Sequence, residues 1–117
     1  ISEGIQEQLK KKGITSLFEI QKSVFKKIHS QENVIAASLT GSGKTLSFVI
    51  PIIQGVKDST GFNKKTPMVL VMAPTRELSI QVGREFSELS SEEFKFKTVM
   101  VYGGVSIEDQ IYNLRGG

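Results

Sequence analysis

S-L-T-G-S-G-K-T, residues 38–45, is the stretch from which the fold can be inferred. An apolar run at 34–37 precedes it and is typical of a buried strand, while the apolar spacing from Leu46 onward is helical. A strand, a glycine-rich turn and a helix in this order are the setting of a phosphate-binding loop. Gly41 and Gly43 allow the backbone to curl until successive N–H groups point at an anion, and the following helix adds the positive end of its dipole.

Two side chains in this stretch suit a nucleoside triphosphate. Lys44 can reach the outer phosphates, and the hydroxyl of Thr45 is a suitable ligand for Mg²⁺. The strict loop pattern has glycine where this chain has Ser38, whose side chain is small enough for a tight turn. An ordinary strand-to-helix connection with an exposed lysine is the alternative. The flanking strand and helix favour the phosphate-binding loop.

The composition is that of an ordinary globular domain. The 117 residues are 38% hydrophobic and 23% charged, which is enough apolar material for one domain with a core. The chain contains no cysteine, so disulfides, thiolate zinc sites and cysteine nucleophiles are excluded. A formal net charge of +3 is compatible with a polyanionic partner. No apolar run is long enough to cross a membrane, so we expect no membrane partner.

Helical and strand patterns alternate along the chain. Helices are predicted from Ser2 to the lysines before Gly13, from Glu19 to His29, from Leu46 onward, from Arg76 to about Leu89, and from Ile107 to Leu114. Apolar runs predict strands at 34–38, 68–73 and 97–102. We expect the Ser2 hydroxyl to cap the first helix. This order predicts an α/β fold, a three-layer sandwich with a parallel sheet, formed as one domain.

Two further motifs follow predicted strands, P-T-R-E-L at 74–78 and the Gly-Gly pair at 103–104. Ligands of parallel α/β folds gather at the carboxyl ends of the strands, so both motifs should share one edge with the loop. The first can be a plain helix start, with Thr75 as the cap and Arg76 in solvent, or a site for phosphate oxygens. The second can be a plain turn or a place where a nucleic-acid backbone approaches protein N–H groups. The residues alone leave these alternatives open.

Four motifs together resemble a known family. They are G-I-x-x-x-x-x-I-Q at 13–21, T-G-S-G-K-T at 40–45, P-T-R-E-L at 74–78 and Y-G-G at 102–104. In order and spacing the chain resembles the first RecA-like domain of DEAD-box ATP-dependent RNA helicases, and it is most similar to their nucleolar RNA helicase II branch. The resemblance implies that residues 1–117 are the N-terminal part of that domain, an incomplete RecA-like P-loop NTPase fold. It also implies an RNA-dependent ATPase that unwinds or remodels RNA.

The resemblance implies a set of site residues and two cofactors, ATP and Mg²⁺. The nucleotide-binding residues would be Gly13, Gln21, Ser38, Thr40, Gly41, Ser42, Gly43, Lys44 and Thr45. Gln21 is implied to read the adenine edge, Lys44 and Thr45 to serve catalysis, and Thr45 to bind Mg²⁺. The RNA-binding residues would be Pro74, Thr75, Arg76, Gly103 and Gly104. Contacts to phosphates and sugars imply RNA binding that does not depend on base sequence.

The chain departs from the family pattern in several places. Leu17-Phe18-Glu19 stands where the family usually has P-T-P, and Ser38 stands where it has alanine. The D-E-A-D motif, the second RecA-like domain and an aromatic residue upstream of the Gln21 motif are not in the chain. We therefore expect a chain that binds ATP and RNA but does not hydrolyse ATP alone. Its partner would be the second RecA-like domain. We expect the protein to be intracellular, and nuclear or nucleolar by the resemblance. A non-catalytic nucleotide- or RNA-binding module and another class of P-loop protein are the alternatives.

Overall fold

The computed structural model describes residues 1–38, 43–59, 65–91 and 94–115, and those residues form five α-helices. The helices are α1 (Glu3–Lys11), α2 (Glu19–His29), α3 (Lys44–Asp58), α4 (Arg76–Glu88) and α5 (Ile107–Leu114). All five helices predicted from the apolar spacing are confirmed. α3 begins two residues before the predicted Leu46, so that Lys44 and Thr45 lie in its first turn.

The sequence predicted the C-terminal end of α1 correctly but not the capping at its N-terminal end. At the C-terminal end the N–H of Gly13 donates to the carbonyl of Lys10 at 2.9 Å, which is the expected helix stop. At the N-terminal end Ser2 occupies the N-cap position, but its hydroxyl makes no capping hydrogen bond and has no partner among the described residues. The prediction of a Ser2 side-chain cap is therefore wrong. The Ser2 backbone N–H instead donates to Oε1 of Gln54 on α3 at 2.7 Å.

The core is built around α3, which contacts both α2 and α4. Apolar residues lie nearly all round α3, which is the pattern of a helix that is packed on more than one side. The helix continues through Pro51, whose side chain is buried. The buried cluster comprises Ile5 and Leu9 of α1, Val49, Ile50 and Ile53 of α3, Val82 and Phe86 of α4, and Leu89.

The predicted strands at 34–38, 68–73 and 97–102 do not form a sheet within the described residues, none of which is in a regular strand. The expectation of a three-layer sandwich is thus met for the helices but not for the sheet. Leu70 and Met72 are 85% and 86% exposed, whereas Val69 and Val71 are each 40% exposed. Only one side of this apolar run is therefore partly covered. A strand becomes regular when a neighbouring strand pairs its N–H and C=O groups, and apolar periodicity by itself does not supply that neighbour.

Two polar links hold the helices together at their ends. Lys12, just after α1, donates from Nζ to Oε2 of Glu85 at 2.7 Å and also to Glu88, both on α4. Burial lowers the pKa of Lys12, but the hydrogen bonds to the two glutamates outweigh it and hold that pKa above its ordinary value.

No helix in the described ranges is long and apolar enough to cross a membrane.

The second link joins the C-terminal ends of α2 and α3. Nε2 of His29 lies 3.0 Å from Oδ2 of Asp58, and the imidazole stacks on the ring of Phe25 with centroids 5.8 Å apart. Nε2 of Gln54 donates to both carboxylate oxygens of Asp58, at 2.9 and 3.0 Å. The hydrogen bonds from Gln54 and then His29 lower the pKa of Asp58 below its ordinary value.

Candidate nucleotide and nucleic-acid site

The glycine-rich loop is described at its two ends, Ser38 and residues 43–45. Residues 39–42, and with them the predicted site residues Thr40, Gly41 and Ser42, lie outside the described residues. The exposed Lys44 is the first residue of α3, and its Nζ donates to the carbonyl oxygen of Ser38 at 2.8 Å. This bond keeps the ammonium at the loop and places the two ends of the loop close together, as a phosphate-binding loop requires.

Gly43 is the N-cap of α3 and has left-handed backbone angles, with φ 79° and ψ 29°. Residues with a Cβ rarely adopt these angles. A Cβ at this position would also lie 2.4 Å from Nε2 of Gln21 and 2.7 Å from Cδ2 of Phe18. Glycine is needed here for two reasons, the backbone conformation and the close approach of α2.

Gln21 lies against this end of the loop. The residue is only 4% exposed. Its Oε1 accepts a hydrogen bond from the N–H of Phe18 at 2.9 Å, and its Nε2 donates to the carbonyl of Gly43 at 3.2 Å. An amide has two donor hydrogens and two acceptor lone pairs, so one donor and one acceptor remain. That pair is what the edge of adenine needs.

The structure also assigns Gln21 a task that the motif did not predict. By accepting from the Phe18 N–H it satisfies one of the unpaired donors at the start of α2. Phe18 replaces a residue of the family's P-T-P element, and its ring is 57% exposed beside Gly43. The changed turn before α2 is thus stabilised by the same glutamine that faces the loop.

Two other predicted nucleotide residues lie in different settings. Gly13 ends α1 and is exposed, and no atom of the described residues lies within 4 Å of where its Cβ would be. Thr45 is the second residue of α3 and is half-buried. The described residues contain no group of three or more His, Asp or Glu side chains that could hold a metal ion. Mg²⁺ commonly takes ligands from phosphate oxygens and water as well as from protein side chains.

The P-T-R-E-L motif forms the start of α4. Thr75 is its N-cap, and the hydroxyl accepts a hydrogen bond from the N–H of Leu78 at 3.1 Å. The capping alternative for Thr75 is thereby confirmed. Arg76 is exposed, as its solvent alternative predicted, but its guanidinium carbon also lies 4.7 Å from the centre of the Tyr102 ring. No pattern within 74–78 could have indicated this partner, which lies 26 residues further along the chain.

The same contact brings the two predicted RNA-binding motifs together. Gly104 has a φ of 82°, and a Cβ at this position would come within 3.3 Å of Nη1 of Arg76. Gly103 is exposed and open, with no atom within 4 Å of where its Cβ would lie. Pro74 and Thr75 are also exposed. Residues 74–76 and 103–104 thus form one continuous exposed surface, here called the Arg76 surface.

Comparison with known proteins identifies the family. Residues 18–117 match the DEAD/DEAH box helicase family. Because the match covers most of the chain, this chain belongs to the DEAD/DEAH box helicases, and the resemblance predicted from the motifs is confirmed.

Three relatives are similar along the whole chain. The chain is 43% identical over 122 residues to DEAD-box ATP-dependent RNA helicase 9 of Oryza sativa subsp. japonica. It is 40% identical over 119 residues to ATP-dependent RNA helicase DDX50 of Homo sapiens and, over the same length, to nucleolar RNA helicase 2 of Rattus norvegicus. Each alignment covers 100% of this chain but only 18%, 16% and 15% of the respective relative. The chain therefore spans less than one fifth of the length of these relatives.

Proposed function

We propose that this chain is the ATP-binding and RNA-backbone-binding part of an ATP-dependent RNA helicase that unwinds or remodels RNA. The observation that carries the proposal is the hydrogen bond from Gln21 to the carbonyl of Gly43, the residue before Lys44. It joins the residue expected to read the base to the loop expected to hold the phosphates. The names of all three relatives, each an RNA helicase, support the same activity.

In this proposal Gln21 and Lys44 divide the recognition of ATP. The spare donor and acceptor of Gln21 pair with the adenine edge, which favours ATP over GTP because guanine presents a different pattern. The ammonium of Lys44 has three donor hydrogens and gives one to Ser38. The other two can bind outer phosphate oxygens at the positive end of α3.

Thr45 is the proposed Mg²⁺ residue. Its hydroxyl would supply one hard oxygen ligand, and the phosphates and waters would supply the rest. The ion would neutralise charge on the phosphate oxygens. Both Lys44 and Thr45 lie in the first turn of α3, so the helix itself fixes their spacing.

The Arg76 surface is the proposed RNA contact. It combines the N-terminal end of α4, the guanidinium of Arg76 and the exposed backbone of Gly103 and Gly104. Such groups bind phosphate and sugar oxygens, so the affinity should vary little with base sequence and should fall as salt rises.

The proposal also includes a RecA-like parallel sheet formed by the segments 34–38, 68–73 and 97–102 within the full-length protein, and a second RecA-like domain that closes over RNA. The high exposure of Ile35, Leu70 and Met72 supports a sheet covered on its second side in that context. A nuclear or nucleolar location is proposed as well, supported by the name of the rat relative.

Nucleotide binding tests the proposal. We expect the full-length protein to bind a fluorescent ATP analogue more tightly than its GTP counterpart. Gln21→Ala should remove two hydrogen bonds to adenine, about 1 kcal/mol each, and weaken ATP binding about thirtyfold more than GTP binding. Lys44→Ala should abolish detectable binding of both nucleotides. The matched control for Gln21→Ala is Gln81→Ala, at an exposed glutamine of α4. The matched control for Lys44→Ala is Lys57→Ala, at the other end of α3.

Three outcomes would contradict the proposal. Equal affinity for ATP and GTP in the wild type would show that Gln21 does not read the base. Unchanged affinity in Lys44→Ala would show that the loop does not hold the phosphates. A protein that binds ATP and RNA but shows no RNA-stimulated hydrolysis at full length would be the non-catalytic module instead.

A further inference from the structure

Arg76 and Tyr102 form a stacked pair where the two predicted RNA-binding motifs meet. The guanidinium carbon lies 4.7 Å from the ring centre, which is the geometry of a cation–π contact. Among the described residues no carboxylate forms an ion pair with Arg76, so its charge is not neutralised. A guanidinium carries five N–H donors, which can bind phosphate oxygens.

Tyr102 is itself held in place by α5. Its backbone N–H donates to Oε1 of Gln110 at 2.8 Å, and the residue is half-buried. Ser106 is the N-cap of α5, and its hydroxyl accepts a hydrogen bond from the N–H of Asp109 at 3.3 Å. The backbone of Tyr102 is therefore tied to a capped helix that follows it in the chain.

Arg76 also lies close to Gly104, where a side chain would be strained. The φ of 82° disfavours any residue with a Cβ, and such a Cβ would lie 3.3 Å from Nη1 of Arg76. The guanidinium thus contacts an aromatic ring and lies close to a bare stretch of backbone. A long arginine side chain that is already ordered loses less rotamer entropy when it binds a phosphate.

We propose that Tyr102 is a positioning residue that holds the Arg76 guanidinium beside Gly103 and Gly104, so that both elements engage the same phosphodiester backbone of single-stranded RNA. The inference rests on the proposed RNA binding of the Arg76 surface and adds to it a residue that makes no RNA contact of its own. α5 acts indirectly, since Gln110 fixes the backbone of Tyr102.

RNA affinity in the full-length protein tests the inference. The probe is a fluorescein-labelled oligouridylate, and the readout is fluorescence anisotropy in the presence of a non-hydrolysable ATP analogue. Tyr102→Leu should weaken RNA binding about two- to fivefold, the value of an exposed cation–π contact. Tyr102→Phe keeps the ring face and should retain the wild-type affinity. Tyr112→Leu, at an exposed tyrosine of α5, is the matched control and should leave the affinity unchanged.

A double-mutant cycle separates positioning from direct contact. If Tyr102 acts through Arg76, Tyr102→Leu should cause no further loss in an Arg76→Ala background. An equal loss in both backgrounds would mean that the ring stacks on RNA bases itself, and it would overturn the inference. Unchanged affinity of Tyr102→Leu beside a weakened Arg76→Ala would overturn it as well and leave the proposed function intact.

The stack can also be observed without RNA. Ring currents should shift the Arg76 Hδ resonances of the wild type upfield in NMR spectra, and the shift should disappear in Tyr102→Leu. An unshifted wild-type signal would overturn the inference whatever the RNA affinity. Failure of the wild-type protein to bind RNA would instead overturn the proposed function, and the role of Tyr102 with it.

Discussion

The substitution Gly43→Ala tests the contact on which the nucleotide site depends. The added Cβ would lie 2.4 Å from Nε2 of Gln21 and 2.7 Å from Cδ2 of Phe18, well inside contact distance. Gln21 is 4% exposed and has little room to retreat. The methyl group must therefore displace the amide and break its hydrogen bonds to Phe18 and Gly43.

The expected cost has two parts. A residue with a Cβ in left-handed backbone angles loses roughly 1–2 kcal/mol, and Gly43 has a φ of 79°. Breaking the two hydrogen bonds of the buried Gln21 amide costs about 1 kcal/mol each. We expect Gly43→Ala to destabilise the chain by about 3 kcal/mol. With a typical urea dependence, that lowers the unfolding midpoint by roughly 1–3 M.

Gly55→Ala provides the control in the same helix. Gly55 lies inside α3, and a Cβ there would be 3.9 Å from the nearest atoms of His29, an ordinary contact. Replacing a helical glycine by alanine stabilises by about 0.5–1 kcal/mol. The assay is urea unfolding of wild type and both variants, followed by far-UV circular dichroism. The two Gly→Ala changes should shift the midpoint in opposite directions.

The double variant Gly43→Ala/Gln21→Ala shows which part of the cost is steric. Once Gln21 is shortened, only the contact with the Phe18 ring remains, so the cost of Gly43→Ala should fall toward the backbone contribution of roughly 1–2 kcal/mol. A midpoint for Gly43→Ala equal to or above that of wild type would refute both the left-handed conformation and the approach of α2.

Two pH-dependent predictions follow from the polar links. The pKa of Lys12 is raised above the ordinary value of 10.5, so its stabilising contribution is complete below that pH and is lost as the pH rises through the higher pKa of the folded state. The urea midpoint of wild type should therefore exceed that of Lys12→Gln at pH 8, and the gap should narrow above pH 10.5; a constant gap would exclude an ionic role. The pKa of Asp58 is lowered below 3.8 by its hydrogen bonds to Gln54 and His29, so its contribution is present above that pH and is lost as the pH falls further. The difference in urea midpoint between wild type and Asp58→Asn should shrink below pH 3.8. Because the Asp58 side chain is 47% exposed, we expect its effect on the midpoint to be smaller than that of Lys12.

The helices and the family could be predicted from the sequence because their signals are local. The apolar spacing at Glu19–His29 predicted α2 with its bounds, and the Thr75 cap predicted the start of α4. Both depend on residues a few positions apart, which interact whatever the rest of the chain does. The order and spacing of the four motifs likewise indicated the helicase family.

The sheet shows where local signals were insufficient. The apolar run at 68–73 has the composition of a buried strand, yet within the described residues it is not paired, and Leu70 and Met72 are exposed. Apolar composition favours burial, whereas a strand ladder needs a second segment at the right distance and register. Such a neighbour can come from anywhere in a full-length domain.

The sequence by itself determined where the helices of the described residues lie and to which family the chain belongs. Only the tertiary structure decided that Gln21 bonds to Gly43, that Lys12 reaches α4 across 73 positions of sequence, and that Arg76 stacks on Tyr102. Helix periodicity and capping are properties of neighbouring residues. These contacts, in contrast, exist only because packing around α3 brings distant parts of the chain within a few ångströms of one another.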